Sequence, residues 1–293
     1  MKLWWNGTII DETEAVIPIT DHGFLYGIGL FETFRTYGGG RPFRLDRHIE
    51  RLREGCEELR LAYAPDAAEI REAVKETLRA NGLEDGYVRW SVSAGAAPLG
   101  LPSAAGYAAP NVIVMAKSLP PENASPKELH LLALPRSGPE GGSVRRKSFH
   151  YMNNILGKWE LASRASSPQA EGLFADGRGT LVEGIVSNVF WAKGGALFTP
   201  SIDTGCLPGI TRGVVLELAG AAGLSVVEGS FGWEAIAEAD EAFVTNSIQE
   251  VTPIGALFDA AGTERRRWAT WPIAERLRQS YRRLTSGEGA SGA

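Results

Sequence analysis

A mixed α and β fold (α+β) in two domains is predicted for this 293-residue chain, on three observations. Strand-like runs come as hairpin pairs around glycine turns more than in regular alternation with helices. Several windows carry apolar residues at helical spacing. One stretch, PPENASPKE at 120–128, breaks the pattern with prolines and small polar residues. With 44% apolar residues the chain is long enough for one large or two medium cores. The break sets a first domain at 1–119, a linker at 120–128 and a second domain at 129–293.

The elements follow in order. KLWWNGTII reads as two short strands around Asn6-Gly7, a dipeptide that accepts the positive φ of a tight hairpin turn. FETFRTY is strand-like, GGG turns, and RLDRHIERLREGCEELRL has the apolar spacing of a helix. A second helix spans about 66–80 and closes at Asn81-Gly82; YVRWSVSAG and NVIVMAKSL are strands on either side of a Gly/Ala/Pro loop. Beyond the linker come a strand at 129–134 and a helix at about 150–165 with Met152, Ile155, Leu156 and Trp159 on one face. GLFADGRGTLVEGIVSNVFWAKGGALFTP holds hairpins, and GITRGVVLELAGAAG is a helix with glycine after its end. A strand at 224–228, a short helix near 233–239, the strand EAFVTNS and a helix in WPIAERLRQSYRRL follow, and SGEGASGA reads as a frayed tail.

Charge narrows the function classes. The net charge is −5, and although 23 of the 30 basic residues are arginine, no basic stripe is present to hold a nucleic-acid backbone. Local arginines suit a small anionic ligand instead. Cys56 and Cys206 are the only cysteines and form no CxxC pair, so neither a disulfide framework nor a structural zinc site is expected. Histidines 22, 48, 130 and 150 have no metal-ligand spacing. The start MKLWWNGTII lacks a long apolar run, and no segment reaches the length of a membrane span. A soluble, cytoplasmic protein is expected.

Four features carry chemistry. Lys147, one of seven lysines, follows Arg145 and Arg146 and precedes a helix. Adjacent positive charge favours the neutral, nucleophilic amine, although a lysine chosen by position alone is usually a solvated surface charge. LPGITRGVVLEL puts Gly209, Ile210 and Thr211 at a helix start, where free N–H groups suit a phosphate; a plain N-cap is the other reading. Glu183 interrupts an apolar strand and needs either solvent or a partner. Arg51 lies on a helix, where surface charge and phosphate clamp are both open. No Walker loop, GxSxG elbow or GxGxxG is present. An amine, an acid and a phosphate cup are together the parts that pyridoxal phosphate requires.

Over nearly its whole length the chain resembles the class IV aminotransferase family, the fold-type IV pyridoxal-phosphate enzymes. The resemblance lies in DHGFLYGIGLFETFR, HIERL, RRKSFHYMNNILGKWE, LVEGIVSNVFW, LPGITRGVVLEL and ADEAFVTNSIQEVTPI, in the family's order. It implies a small N-terminal α/β domain, a larger C-terminal domain with a barrel-like sheet, and pyridoxal 5'-phosphate between them. It implies that Lys147 joins the cofactor aldehyde and later moves protons, that Glu183 pairs with the protonated ring nitrogen, and that Arg51 reaches the phosphate. Ile210, Thr211, Ser247 and Ile248 would hold the same phosphate, and Tyr151 the phenolic oxygen.

Within the family, aminodeoxychorismate lyases, branched-chain aminotransferases and D-amino-acid aminotransferases compete. Thr33 of LFETFR, with KSFHYMNN and TNSIQE, resembles the lyases, which release pyruvate and leave 4-aminobenzoate on the way to folate. Thr33 would then act as a general acid or assist the lysine. The loop AAPLGLPSAAG lacks the arginine that some lyases carry there, so Arg89, with Arg35 and Arg146 behind it, is the expected holder of substrate carboxylates. For Arg35 and Arg146 an ordinary salt bridge is equally open. The resemblance also implies a homodimer; Trp4, Trp5, Phe24, Leu25 and Tyr26 are candidates for its surface, with burial in the core the safer reading for several of them. A catalytically silent ligand-binding scaffold is the non-enzyme alternative.

Overall fold

The computed structural model describes residues 1–102, 105–121, 125–142, 144–165 and 167–287. These form two compact units, 1–121 with 146–150 and 122–145 with 151–293. Residues 122–124 of the predicted linker and 288–293 of the predicted tail lie outside the described residues. The segment 146–150, which the sequence places after the linker, packs with the first unit. Among the described residues no helix is long and apolar enough to cross a membrane.

In the first unit, β1 (Lys2–Trp5) and β2 (Thr8–Asp11) form the expected hairpin, with Asn6 at φ 45° and Gly7 at φ 96°. A short helix follows, α1 (His22–Tyr26), then β3 (Gly29–Tyr37), β4 (Arg41–Pro42), α2 (Leu45–Glu58), α3 (Ala67–Ala80), β5 (Tyr87–Ser93) and β6 (Asn111–Lys117). Asp66 caps α3 by accepting from the N–H groups of Ala68 and Glu69, both at 2.9 Å. The sheet runs β2-β1-β6-β5-β3-β4. Leu45, Leu52, Ile70 and Val74 of the helices share one core with Phe34, Val88, Trp90 and Trp4 of the strands. Trp4 is therefore core and not a candidate for an intersubunit surface, whereas Phe24 is 67% exposed.

Asp21, buried, sets the turn into α1. Its carboxylate accepts from Gly23 N at 2.6 Å, from the Ser93 hydroxyl at 2.6 Å and from Asn111 Nδ2 at 2.9 Å. Residues 147–149 lie along the outer edge of β3: Phe31 N donates to Lys147 O at 2.8 Å and Phe149 N to Gly29 O at 3.0 Å. A Cβ on Gly29 would come within 2.4 Å of the Phe149 ring, so only glycine lets this segment lie so close.

The second unit contains β7 (Lys127–Leu131), α4 (Met152–Ala162), β8 (Glu171–Ala175), β9 (Leu181–Gly184), β10 (Asn188–Lys193) and β11 (Ala196–Pro200). A 3₁₀ turn at Ile202–Thr204 precedes α5 (Ile210–Ala221), β12 (Val226–Gly229), α6 (Trp233–Ala237), β13 (Glu241–Asn246), β14 (Glu250–Phe258), β15 (Glu264–Arg267) and α7 (Pro272–Ser286). The strands run β12-β11-β10-β13-β14-β7-β8-β9, with β15 beside β14. The far strand β9 also meets β10 and β11, which curls the sheet into a barrel-like form. Val215 and Ala219 of α5 and Ala274 and Leu277 of α7 pack on Phe190 and Phe243, whose rings stack 5.1 Å apart.

Two departures from expectation have physical causes. The sequence reading assigns no element between EAFVTNS and the C-terminal helix, and Pro253 within that span has no N–H to give to a ladder. β14 is nevertheless central, with Pro253 opposite Phe243 in its register with β13. The apolar face of α4 has helical spacing, but Met152, Ile155, Leu156 and Trp159 point outward while Asn154, Gly157 and Leu161 face the sheet. Gly157 lies there because a Cβ would come within 2.6 Å of the Phe174 ring.

Candidate active site

The first unit gathers a cationic group around one ring. Lys147 Nζ lies over Phe31, 4.8 Å from the ring centroid, and Arg89 Cζ lies 3.7 Å from the same centroid. Lys147 is half-buried, and its position follows from the backbone pairing of 147–149 with β3. Arg89 stands opposite Thr33 in the β3–β5 register, so the hydroxyl and the guanidinium project from one face of the sheet. Arg89 Nε donates to the Ser91 hydroxyl at 3.2 Å. Lys147, Thr33 and Arg89, separate in sequence, thus belong to one neighbourhood of one unit.

The remaining arginines divide. Arg35 sits over the Tyr37 ring at 4.9 Å. Arg146 donates to Glu58 and to Glu54, each at 2.7 Å, and so braces the lysine segment against α2. Arg145 belongs to the second unit and is buried, donating to Gly205 O at 2.6 Å with Glu183 at 3.5 Å. The run RRK is consequently not a bare cationic cluster: carboxylates compensate the first two charges, because a buried guanidinium without a partner would be costly. Arg51 is buried on α2, with Nε and Nη2 on the Glu32 carboxylate at 2.8 and 2.6 Å.

In the second unit Glu183, on β9, is buried. Its Oε1 accepts from Arg136 Nε at 2.9 Å, with Nη2 at 2.8 Å, and its Oε2 accepts from Leu207 N at 2.8 Å. Arg136 is held in turn by Asn153 Oδ1 at 2.7 Å and Asn154 Oδ1 at 3.1 Å, and its Cζ lies 5.1 Å from the Phe174 centroid. Tyr151 is the residue before α4. Burial lowers the basicity of Arg145, and Arg136 works in the same direction while Glu183 opposes it.

The same unit carries an anion-suited terminus. Gly209 is the N-cap of the twelve-residue α5, and no side chain caps it. A Cβ at Gly209 would come within 2.1 Å of Asn188 Oδ1, so the close approach of that amide requires glycine. Thr211 is buried in the first turn, its hydroxyl 3.4 Å from that of Ser247. Ile248 N donates to Asn246 Oδ1 at 3.0 Å inside the turn after β13. Ile210, Thr211 and Ser247 therefore cluster at one helix end.

The family model for amino-transferase class IV matches residues 29–257. This chain belongs to the class IV aminotransferases. The aminodeoxychorismate lyase of Bacillus subtilis (strain 168) is 43% identical over 86% of this class IV chain and 85% of its own. The branched-chain aminotransferase of the archaeon Thermoproteus uzoniensis, solved with norvaline, superposes with a TM-score of 0.87 at 30% identity, covering 99% of this chain and 96% of its own. The branched-chain aminotransferase of Escherichia coli gives a TM-score of 0.86 at 27% identity, covering 99% and 97%. The class IV protein is thus of mixed α/β, fold-type IV architecture.

Sequence reasoning missed Phe31, Glu32, His48 and Arg136 of the class IV chain. A signal existed for two of them: Glu32 is a charge inside an apolar strand, and His48 lies one helical turn before Arg51. Arg136 follows β7 in a loop and carries no periodic signature.

Proposed function

We propose that this protein is a pyridoxal-phosphate-dependent lyase that converts 4-amino-4-deoxychorismate into 4-aminobenzoate and pyruvate. The observation that carries this choice is the 43% identity with the Bacillus subtilis aminodeoxychorismate lyase. The residues present fit the cofactor: a half-buried amine at Lys147, a buried carboxylate at Glu183, and an uncapped helix end at Gly209 that leaves no room for a Cβ.

When bound, pyridoxal phosphate supplies an electron-withdrawing ring that stabilises the negative charge left on a substrate carbon when its proton departs. Lys147 would hold the cofactor through its Nζ, and the same amine would take the proton from the substrate ring carbon. Glu183 would pair with the cofactor's ring nitrogen, and Arg136 keeps that carboxylate oriented. Arg51, Ile210, Thr211, Ser247 and Ile248 would hold the phosphate, and Tyr151 the phenolic oxygen. Arg89, assisted by Arg35, holds the substrate carboxylates. As the carbon–oxygen bond to the three-carbon group breaks, the ring becomes aromatic, and the Thr33 hydroxyl donates a proton toward the departing enolpyruvyl group.

A class IV aminotransferase activity is the second reading, favoured by the likeness to the branched-chain aminotransferase fold. One assay separates them. Full-length protein given aminodeoxychorismate without a keto acid should produce pyruvate and 4-aminobenzoate in equal amounts; turnover only of branched-chain amino acids or D-amino acids with a keto acid would replace the lyase by the transaminase. The same reading assigns a cytoplasmic homodimer. Val16, Ile19, Phe24, Leu99 and Leu101 of the first unit are exposed apolar side chains, which a second copy would cover.

A further inference from the structure

The Glu32 carboxylate is 1% exposed in the middle of β3, on the helix-facing side, while its neighbours Phe31 and Thr33 alternate to the side that carries Lys147 and Arg89. A charge at such a depth is costly unless it is paired and hydrogen-bonded. It is both. Arg51 meets it through two nitrogens, Nε to Oε1 at 2.8 Å and Nη2 to Oε2 at 2.6 Å, and His48 Nδ1 adds a third contact to Oε2 at 2.6 Å. His48 and Arg51 stand one turn apart on α2, so a single carboxylate on β3 fixes two side chains of the helix.

We propose that Glu32 is a positioning residue that holds the Arg51 guanidinium in the plane from which it grips the cofactor phosphate. The inference rests on the pyridoxal-phosphate reading above. The pairing has two opposed consequences for a phosphate ligand. Glu32 offsets the positive charge of Arg51, which weakens the attraction, and it removes the rotameric freedom of a long side chain, which lowers the cost of binding. A guanidinium recognises phosphate through a fixed planar fork more than as a point charge, so orientation is the larger effect.

The test compares two ligands that share the ring and aldehyde but differ in the phosphate. Wild-type full-length protein and Glu32→Gln, both freed of cofactor, are titrated with pyridoxal phosphate and with pyridoxal, following intrinsic tryptophan fluorescence. The variant should bind pyridoxal phosphate about tenfold more weakly and pyridoxal nearly as the wild type does. Equal weakening toward both ligands would reduce Glu32 to a structural brace, and unchanged or tighter phosphate binding would make charge compensation its role; either overturns the proposal. Arg51→Lys, which keeps the charge but loses the fork, should reproduce the phosphate-selective loss, and its failure to do so overturns the proposal even where Glu32→Gln does not fold. A wild-type protein that binds neither ligand would overturn the cofactor reading itself.

Discussion

Arg136 fixes Glu183 through two nitrogens on one carboxylate oxygen, Nε at 2.9 Å and Nη2 at 2.8 Å, with both side chains buried. Breaking such a pair strands a buried charge, which costs about 3 kcal/mol. Arg136→Met should therefore lower the urea midpoint of the protein and reduce turnover at saturating cofactor. A variant with the wild-type midpoint would show that Arg145 and Leu207 N suffice to hold Glu183.

Lys147→Ala should leave a folded protein that is colourless after incubation with pyridoxal phosphate and dialysis, and that incorporates no label on borohydride reduction. Wild-type protein treated in the same way should be yellow and bleach. Retained colour in the variant would move the covalent attachment to another amine.

Thr33→Val removes one hydroxyl from the sheet face shared with Arg89. The loss of a general acid lowers the rate by about a hundredfold or more. The expected result is a fall in pyruvate release with the cofactor spectrum unchanged; pyruvate release at the wild-type rate would remove Thr33 from the chemistry.

Acid should weaken the first unit in a definite window. Burial pushes the Glu32 carboxyl up, but Arg51 and His48 more than reverse this and hold it at about 2, against an ordinary 4.5. Its folded-state value is depressed, so its contribution is complete above pH 4.5 and is lost as pH falls toward 2. Burial also holds His48 below its ordinary 6.5, with Glu32 opposing, so protonation of the unfolded chain adds to the loss below that pH. Urea midpoints across this range should fall with pH in the wild type and fall less in Glu32→Gln; parallel curves would contradict the pairing.

Phe24→Asp combined with Leu101→Asp places two charges at exposed apolar positions of the first unit, one on α1 and one in the loop before β6. Light scattering should report a dimer for the wild type and a monomer for the double variant. A wild-type monomer would remove the homodimer from the functional reading.

The fold was legible where pattern and turn chemistry agree. The Asn6-Gly7 hairpin and the helices α2 and α3, the second closed at Asn81-Gly82, are local, and each follows from neighbouring residues. β14 was not: Pro253 cannot donate to a ladder, and the strands that flank it, β13 and β7, come together only in the folded chain. The outward face of α4 misleads for a related reason: periodicity finds an apolar stripe but not what covers it. At the candidate site, Lys147 and Glu183 stand out as charges in unusual places. Arg136 does not, since only the folded chain brings a loop arginine to a strand carboxylate.

The strip 147–149 has a consequence for how the chain emerges from the ribosome. Until residue 150 has been made, the outer margin of β3 lacks its cover along Gly29–Phe31, although every other strand of that sheet is already available. A nascent or truncated chain ending near 121 therefore offers an open backbone ribbon to other chains. Release from that hazard arrives with the same few residues that set Lys147 beside β3.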